Sequence, residues 1–226
     1  MEGYRESPFQ ALPPVVVALA LALALPEVAL SAADRGLLGR GAAGWRIEAL
    51  RDYGVFPRVL DFGLARGSLA DAEPWRLVAH AFVHRGFVDM LFAAVFVLAL
   101  GKFVAEAMGA GATLALFFGA CVFGALGWWV MGGETQPLAG GYVGAYGLIG
   151  AFTFVLFSRA GPSNAARLAA FRLIGFLMAI QLVFGLLFGT ADWWMAQLAG
   201  FAFGFIASFA LAPGRARVFL ARLRSR

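Results

Sequence analysis

Long apolar stretches alternate with short polar segments along most of this chain, and six of them approach 20 residues. A hydrocarbon core about 30 Å thick is crossed by about 20 residues of α-helix, since each residue adds about 1.5 Å. We therefore predict six membrane-spanning helices in a single domain, residues 1–226, with a basic tail at 213–226. The predicted spans are residues 14–33, 78–100, 112–131, 138–157, 168–188 and 194–212.

The composition agrees with this pattern. Hydrophobic residues make up 62% of the 226 residues and charged residues only 14%, whereas about 25% of the residues of a soluble domain are charged. The mean hydropathy is +0.81. Strands of a membrane β-barrel alternate apolar and polar residues, but the apolar runs here are continuous. We therefore predict an all-α membrane protein.

Two departures from a simple helical bundle stand out near the N-terminus. The first span contains Pro26 and Glu27, and we expect the helix to kink or end early there because proline removes a backbone hydrogen bond. The only long connection, residues 34–77, mixes arginines with acids, aromatics and glycines. It is typical of a partly ordered loop that rests on the membrane surface. The single cysteine, Cys121, excludes an intramolecular disulfide.

Basic residues in short loops predict the orientation. Lys102, Arg159, Arg167 and the arginine-rich tail fall on one side, which favours cytoplasmic termini in a bacterial inner membrane, although the long first loop also holds seven arginines. We interpret the basic tail as a contact for anionic lipid, and not for nucleic acid. The tryptophan pairs at 128–129 and 193–194 are then predicted to lie at the outer interface.

Glycines on the fourth and sixth spans predict a close helix contact. Gly200 and Gly204 form a G-x-x-x-G pattern, and Gly140, Gly144 and Gly147 offer a similar surface on the fourth span. Small residues of this kind let two membrane helices approach backbone to backbone. We expect these two spans to touch.

Three segments in order carry a family resemblance: "WRLVAHAFVHRGFVDMLFAAVF" before and within the second span, "GGYVGAYGLIGA" on the fourth, and "AQLAGFAFG" on the sixth. Together they resemble the rhomboid family of intramembrane serine proteases. The resemblance implies a six-transmembrane-helix rhomboid-like bundle. It also implies that the active site of the family lies between the second, fourth and sixth spans.

The catalytic positions implied by the resemblance hold other residues. An ungapped alignment puts Tyr142 at the nucleophilic serine and Val143 at the glycine after it, while a rival alignment with a gap puts Val143 at the nucleophile. Gln197 stands at the histidine base. Asp89 and Ala93 stand at the histidine and asparagine that form the oxyanion hole.

These residues lack the required chemistry. An amide such as that of Gln197 cannot accept a proton from a nucleophile, so general-base help of about 10²–10⁴-fold is missing. An ionised Asp89 would repel the oxyanion, and loss of one donor alone typically costs about 10²–10³-fold. We predict no catalytic residue and therefore a pseudoprotease.

The remaining residues near the site are predicted to be structural. His80 and His84, at i and i+4, could with Asp89 outline a metal site, but "HAFVH" lacks the glutamate of a zinc-protease helix. We therefore predict no metal and no cofactor, and expect both histidines to hydrogen-bond the first loop. The resemblance also places a structural tyrosine at Tyr146, and Gly200 and Gly204 belong with it.

The predicted function is a catalytically inactive rhomboid-like membrane protein that binds transmembrane helices of other membrane proteins. It would act as a client-binding regulator or as an accessory or assembly subunit of a membrane complex. Two alternatives stay open: an active intramembrane serine endopeptidase with a rebuilt site, and a small transporter. The available serines lie near span ends, in loops or in tails. Glu27, Asp89 and Glu106 also fall near span ends, where a charge is a weak sign of an ion path.

Overall fold

The computed structural model describes residues 11–68, 70–133, 136–160, 164–188 and 192–212. These residues are almost entirely helical, and an isolated bridge between Val55 and Leu138 is their one β-type pairing. The predicted all-α fold is confirmed. The helices are α1 (Pro14–Asp34), α2 (Trp45–Tyr53), α3 (Pro57–Ala65), α4 (Arg76–Ala79), α5 (Phe87–Met108), α6 (Ala110–Val130), α7 (Tyr142–Arg159), α8 (Asn164–Ala169), α9 (Arg172–Phe188) and α10 (Trp194–Leu211), with 3₁₀ turns at Arg40–Ala42 and His80–Phe82.

Five helices of the described chain are long and apolar enough to cross a membrane: α1, α5, α6, α7 and α10. The fifth predicted span corresponds to the apolar helix α9, which has 17 residues. The predicted lipid contact of the tail at 213–226 lies outside the described residues.

The second predicted span was misplaced. It was expected at 78–100, but the helix begins at Phe87 and ends at Met108. Val83 is extended and Gly86 lies outside the helical region, so the chain turns before the span begins. Hydropathy could not detect this break because residues on both sides of it are apolar.

The first span also differs from its prediction. Helix α1 continues through Pro26 to Asp34 and does not end early. Leu23, Glu27 and Leu30 are all buried on one side of the helix, and this packing offsets the hydrogen bond that proline removes.

Helix α7 lies at the centre of the bundle and packs against α5, α6 and α10. The predicted contact between the fourth and sixth spans is confirmed at Gly147. The prediction was wrong for two other glycines, because Gly144 faces Phe117 of α6 and Gly140 precedes α7 and lies beside Asp89. A Cβ atom on Gly204 would overlap the backbone of Gly147, and one on Gly200 would lie 2.8 Å from the carbonyl oxygen of Val143. Glycine is therefore required at this helix pair, because no side chain can move aside to relieve the overlap.

The first loop folds back over the end of the bundle at which α7 begins. Its helices α2 and α3 flank Val55, which pairs with Leu138 through two backbone hydrogen bonds of 3.0 Å. Trp128 is fully buried in the adjacent cluster with Val55 and Leu138. Trp128 is therefore covered by the protein and does not face lipid, while its place at the depth of the outer interface stays a prediction.

Candidate functional site

The segment just before α7 forms one wall of the site, and its backbone is held at nearly every residue. Leu138 pairs with Val55. The carbonyl of His80 accepts a hydrogen bond from the N–H of Gly140 at 2.8 Å, and the N–H of Gly141 donates to His84 Nε2 at 3.1 Å. Gly140 has a φ of +103°, a conformation that favours glycine. Buried backbone groups outside regular helices need such partners.

The two histidines anchor this wall. The His84 ring accepts a hydrogen bond from the N–H of Gly141, and His80 Nε2 lies 3.4 Å from the carbonyl oxygen of Cys121 on α6. Both rings are fully buried. The expected hydrogen bonds of the two imidazoles to the first loop stay a prediction, while the backbone carbonyl of His84 accepts from Arg46 of that loop at 2.7 Å.

The two histidines do not have the helical spacing on which a metal site with Asp89 depended. His80 begins a 3₁₀ turn and His84 follows an extended residue, so the pair does not lie on one helix face. Within the described residues, no group of three or more histidine, cysteine or acidic side chains could hold a metal ion.

Arg85 lies between the segment before α7 and the start of α10. Its guanidinium donates to the carbonyl oxygens of Pro137 at 2.9 Å and Ala139 at 3.1 Å. It also stacks on the ring of Trp193 just before α10, 3.4 Å from the centroid. Burial lowers the pKa of Arg85, and the nearby carboxylate of Asp89 opposes that shift. Arg85 thus joins the wall before α7 to the start of α10.

Asp89 stabilises the first turn of α5. Its Oδ2 accepts the backbone N–H of Arg85 at 3.2 Å and lies 3.9 Å from the Arg85 guanidinium. An acidic side chain in the first turn also interacts favourably with the helix dipole. Ala93, one turn further along α5, is fully buried and offers no polar group.

Tyr142 and Val143 begin α7 and face different neighbours. Tyr142 is half-buried, and its ring packs edge-on against Phe96 of α5, with centroids 6.5 Å apart. Val143 is buried, and its side chain fills the space beside Gly124 of α6 and Gly200 of α10. Neither of these positions holds an aliphatic hydroxyl or a thiol.

Gln197 lies in a small polar cluster that joins three helices. Gln181 of α9 donates from Nε2 to the Tyr146 hydroxyl of α7 at 2.7 Å and also to Gln197 Oε1 of α10. Interhelical hydrogen bonds of this kind stabilise helix association in lipid. The amide of Gln197, at the position of the family's base, is therefore engaged in tying α9 to α10.

Sequence reasoning missed three residues that organise this end of the protein: Arg46, Arg85 and Gln181. Gln181 had a signal, because it is the one polar side chain in the apolar run from 173 to 188. No local sequence pattern distinguishes Arg46 or Arg85, because each is one of 18 basic residues and its partners lie elsewhere in the chain.

The burial of the histidines predicts a pH-dependent stability. Burial lowers the pKa of His80 to about 4 from 6.5 and also lowers the pKa of His84. The unfolded chain therefore binds protons that the folded chain does not, and the stabilisation is complete above about pH 6.5 and is lost as the pH falls toward 4. Each pH unit in this window costs about 1 kcal/mol for His80, and His84 adds to the loss in the same direction.

Thermal unfolding in mild detergent between pH 7.5 and 4.5 would measure this effect. In a His80→Gln, His84→Gln variant, glutamine still offers hydrogen-bonding atoms but does not titrate. We expect a clearly flatter dependence of Tm on pH in this variant. Parallel curves for the variant and the native protein would contradict the assignment to these two histidines.

A comparison with family models identifies the family of this chain. The model of the rhomboid domain family matches residues 71–214, which include α4 to α10 and the aligned positions Asp89, Ala93, Tyr142, Val143 and Gln197. A comparison with curated proteins gave no match. Since the matched region covers more than half of the chain, in the order that the three motifs predicted, this membrane protein belongs to the rhomboid family.

Proposed function

We propose that this protein is a catalytically inactive rhomboid that binds transmembrane helices of other membrane proteins. The observation that carries the proposal is the polar cluster at the base position, where Gln197 is bonded to Gln181. An amide in that place accepts no proton from a nucleophile. The hydrogen bond also holds α9 against α10 at the position where an active site would need an imidazole directed at the nucleophile.

The contacts of Arg85 and the residues at the oxyanion positions support the same proposal. Arg85 bonds two carbonyl oxygens and stacks on Trp193, so it holds the backbone that precedes α7. Asp89 adds a carboxylate at an oxyanion position, and Ala93 adds no donor. A developing oxyanion needs preorganised donors in a water-excluded site. Here Asp89 is paired with Arg85, and Gln197 is hydrogen-bonded to Gln181.

A transporter is less well supported. The buried carboxylate inside a membrane-spanning helix, Glu27, is paired with Arg46 through two hydrogen bonds of 2.8 Å. A charge in a membrane helix marks an ion path when it faces a pore or cavity, whereas this carboxylate is fully buried and joined to the first loop.

A serine-reactive fluorophosphonate probe tests the absence of peptidase chemistry. We expect no labelling of the purified protein above that of its Tyr142→Phe variant, because no described side chain is hydrogen-bonded to the Tyr142 hydroxyl as a base. An active rhomboid in the same detergent is the positive control. Labelling that Tyr142→Phe abolishes would show an activated hydroxyl and overturn the proposal.

Site-specific photocrosslinking in the native membrane tests partner binding. A benzophenone amino acid can replace Phe176 on α9 or Ile206 on α10, which are 64% and 67% exposed. We expect one of these positions to crosslink a discrete membrane protein, since a docked helix covers one face only. Leu25 on α1, 65% exposed, is the matched control. Equal crosslinking at all three positions would indicate random collision in the membrane and contradict specific docking.

A further inference from the structure

A cavity of about 570 Å³ lies where α1 ends and the first loop begins. It is lined by Asp34, the last residue of α1, and by Gly36, Gly39, Arg40 and Ala43 of the loop. Its volume falls within the range of about 300–1,000 Å³ that is typical of small-molecule sites. Since α1 crosses the membrane, the cavity lies at the depth where lipid headgroups begin.

Arg46 also borders the cavity but has no capacity left for a ligand. Its guanidinium and Nε donate five hydrogen bonds within the protein, one for each N–H that arginine has. The acceptors are Glu27 Oε1 and Oε2, Ser31 Oγ, Asp34 Oδ2 and the carbonyl oxygen of His84.

One free cation and one free acceptor therefore face the cavity. Arg40 is exposed and forms no ion pair with any residue in the described ranges. Asp34 uses Oδ2 for Arg46 at 2.6 Å, while its Oδ1 has no hydrogen-bond partner in the part of the chain that the structure describes. The side chain of Asp34 is 43% exposed. A ligand that matches both groups carries a positive and a negative charge.

An apolar surface continues from the cavity. Leu37 is 73% exposed, and Ile47, which lines the cavity, is 74% exposed. Leu38 is 49% exposed. Large apolar side chains beside a polar cavity at the end of a membrane helix match an amphiphile, with its polar head in the cavity and its chains against the protein.

We propose that this cavity binds the headgroup of a phospholipid with a primary ammonium, the chemistry of phosphatidylethanolamine. Arg40 binds the phosphate through a charge-assisted hydrogen bond, and Asp34 Oδ1 accepts a hydrogen bond from the ammonium. The acyl chains lie over Leu37 and Ile47. A choline headgroup has no N–H to donate, and a glycerol headgroup has no cation for Asp34.

Lipid retention by the full-length protein tests this site. The protein, stripped in detergent, is exposed to an equimolar mixture of phosphatidylethanolamine, phosphatidylcholine and phosphatidylglycerol with identical acyl chains. Native mass spectrometry then counts the lipid that remains bound. We expect phosphatidylethanolamine to be retained about tenfold over each of the others, the difference expected for a net gain of about 1.4 kcal/mol.

Three variants localise the binding. Arg40→Gln is expected to abolish retention of phosphatidylethanolamine. Asp34→Asn keeps an oxygen for Arg46 but loses the charge, so it is expected to bring ethanolamine and choline lipids to similar retention. Arg58→Gln removes an exposed arginine of α3 outside the cavity and is expected to change nothing.

Three results would each overturn the proposal. One is preferential retention of phosphatidylglycerol, which indicates a simple basic surface. The second is equal retention of the three lipids, and the third is retention that Arg40→Gln leaves unchanged. Tm of each variant, measured in the same detergent, separates loss of the site from loss of the fold.

Discussion

Replacing Arg46 with alanine is expected to destabilise the protein by about 3–5 kcal/mol, because it leaves a buried carboxylate without its partner. Glu27 is 0% exposed, and both its oxygens accept hydrogen bonds of 2.8 Å from the Arg46 guanidinium. The Glu27 carboxylate raises the pKa of Arg46 above its ordinary value, so Arg46 stays positively charged. Unfolding by sodium dodecyl sulfate in mixed micelles measures the change.

Two further variants make this result specific. Arg51→Ala is the matched control, because Arg51 lies on the same helix α2, is 73% exposed and, among the described residues, forms an ion pair only with Asp52. It should change stability by no more than about 0.5 kcal/mol. Glu27→Leu combined with Arg46→Leu should recover much of the lost stability, since no charge is then buried alone. If Arg46→Ala is as mild as Arg51→Ala, the buried pair is not the tie between α1 and the first loop.

Gly204→Leu is expected to lose stability at the upper end of the range of about 1–3 kcal/mol that is typical of overpacking. A Cβ atom at this position would lie 2.8 Å from the Cα of Gly147 and closer still to its carbonyl oxygen. These are backbone atoms at the centre of the bundle, so α7 and α10 must separate to admit a side chain. Thermal unfolding in detergent reports the loss.

Gly175→Leu is the matched control for this experiment. Gly175 is also a helical glycine, on α9, but a Cβ atom there meets nothing within 4 Å. We expect this variant to keep the native Tm or gain slightly, because leucine favours helix over glycine. Equal effects of the two substitutions would mean that the cost comes from glycine chemistry in general and not from the contact between α7 and α10.

Polar contacts between distant segments hold this end of the bundle together. Arg46 holds the first loop to α1, Arg85 holds the wall before α7, and Gln181 holds α9 to α7 and α10. Each contact uses polar groups that are at least partly buried, so each is costly to break.

Much of the site could be placed from the sequence. The motifs located Tyr142, Gln197 and Asp89 at one end of three helices, and the structure assembles those helices around the wall before α7. The roles of the histidines could not be placed in the same way. Their partners are the backbone of Gly141 and of Cys121, 57 and 41 residues away from them in the chain.

The sequence by itself determined the membrane class, the helical spans and the membership of the rhomboid family. The hydropathy of a span is summed over about 20 residues, so a single polar residue hardly changes the prediction. The order of the three motifs along the chain is likewise unchanged by substitutions at single positions. The tertiary structure alone decided where the second span begins, why Glu27 is tolerated inside α1, and what Arg46, Arg85 and Gln181 do. The roles of these side chains depend on hydrogen bonds and ion pairs between residues distant in sequence, and such partners are brought together by the packing of the helices and not by any local pattern.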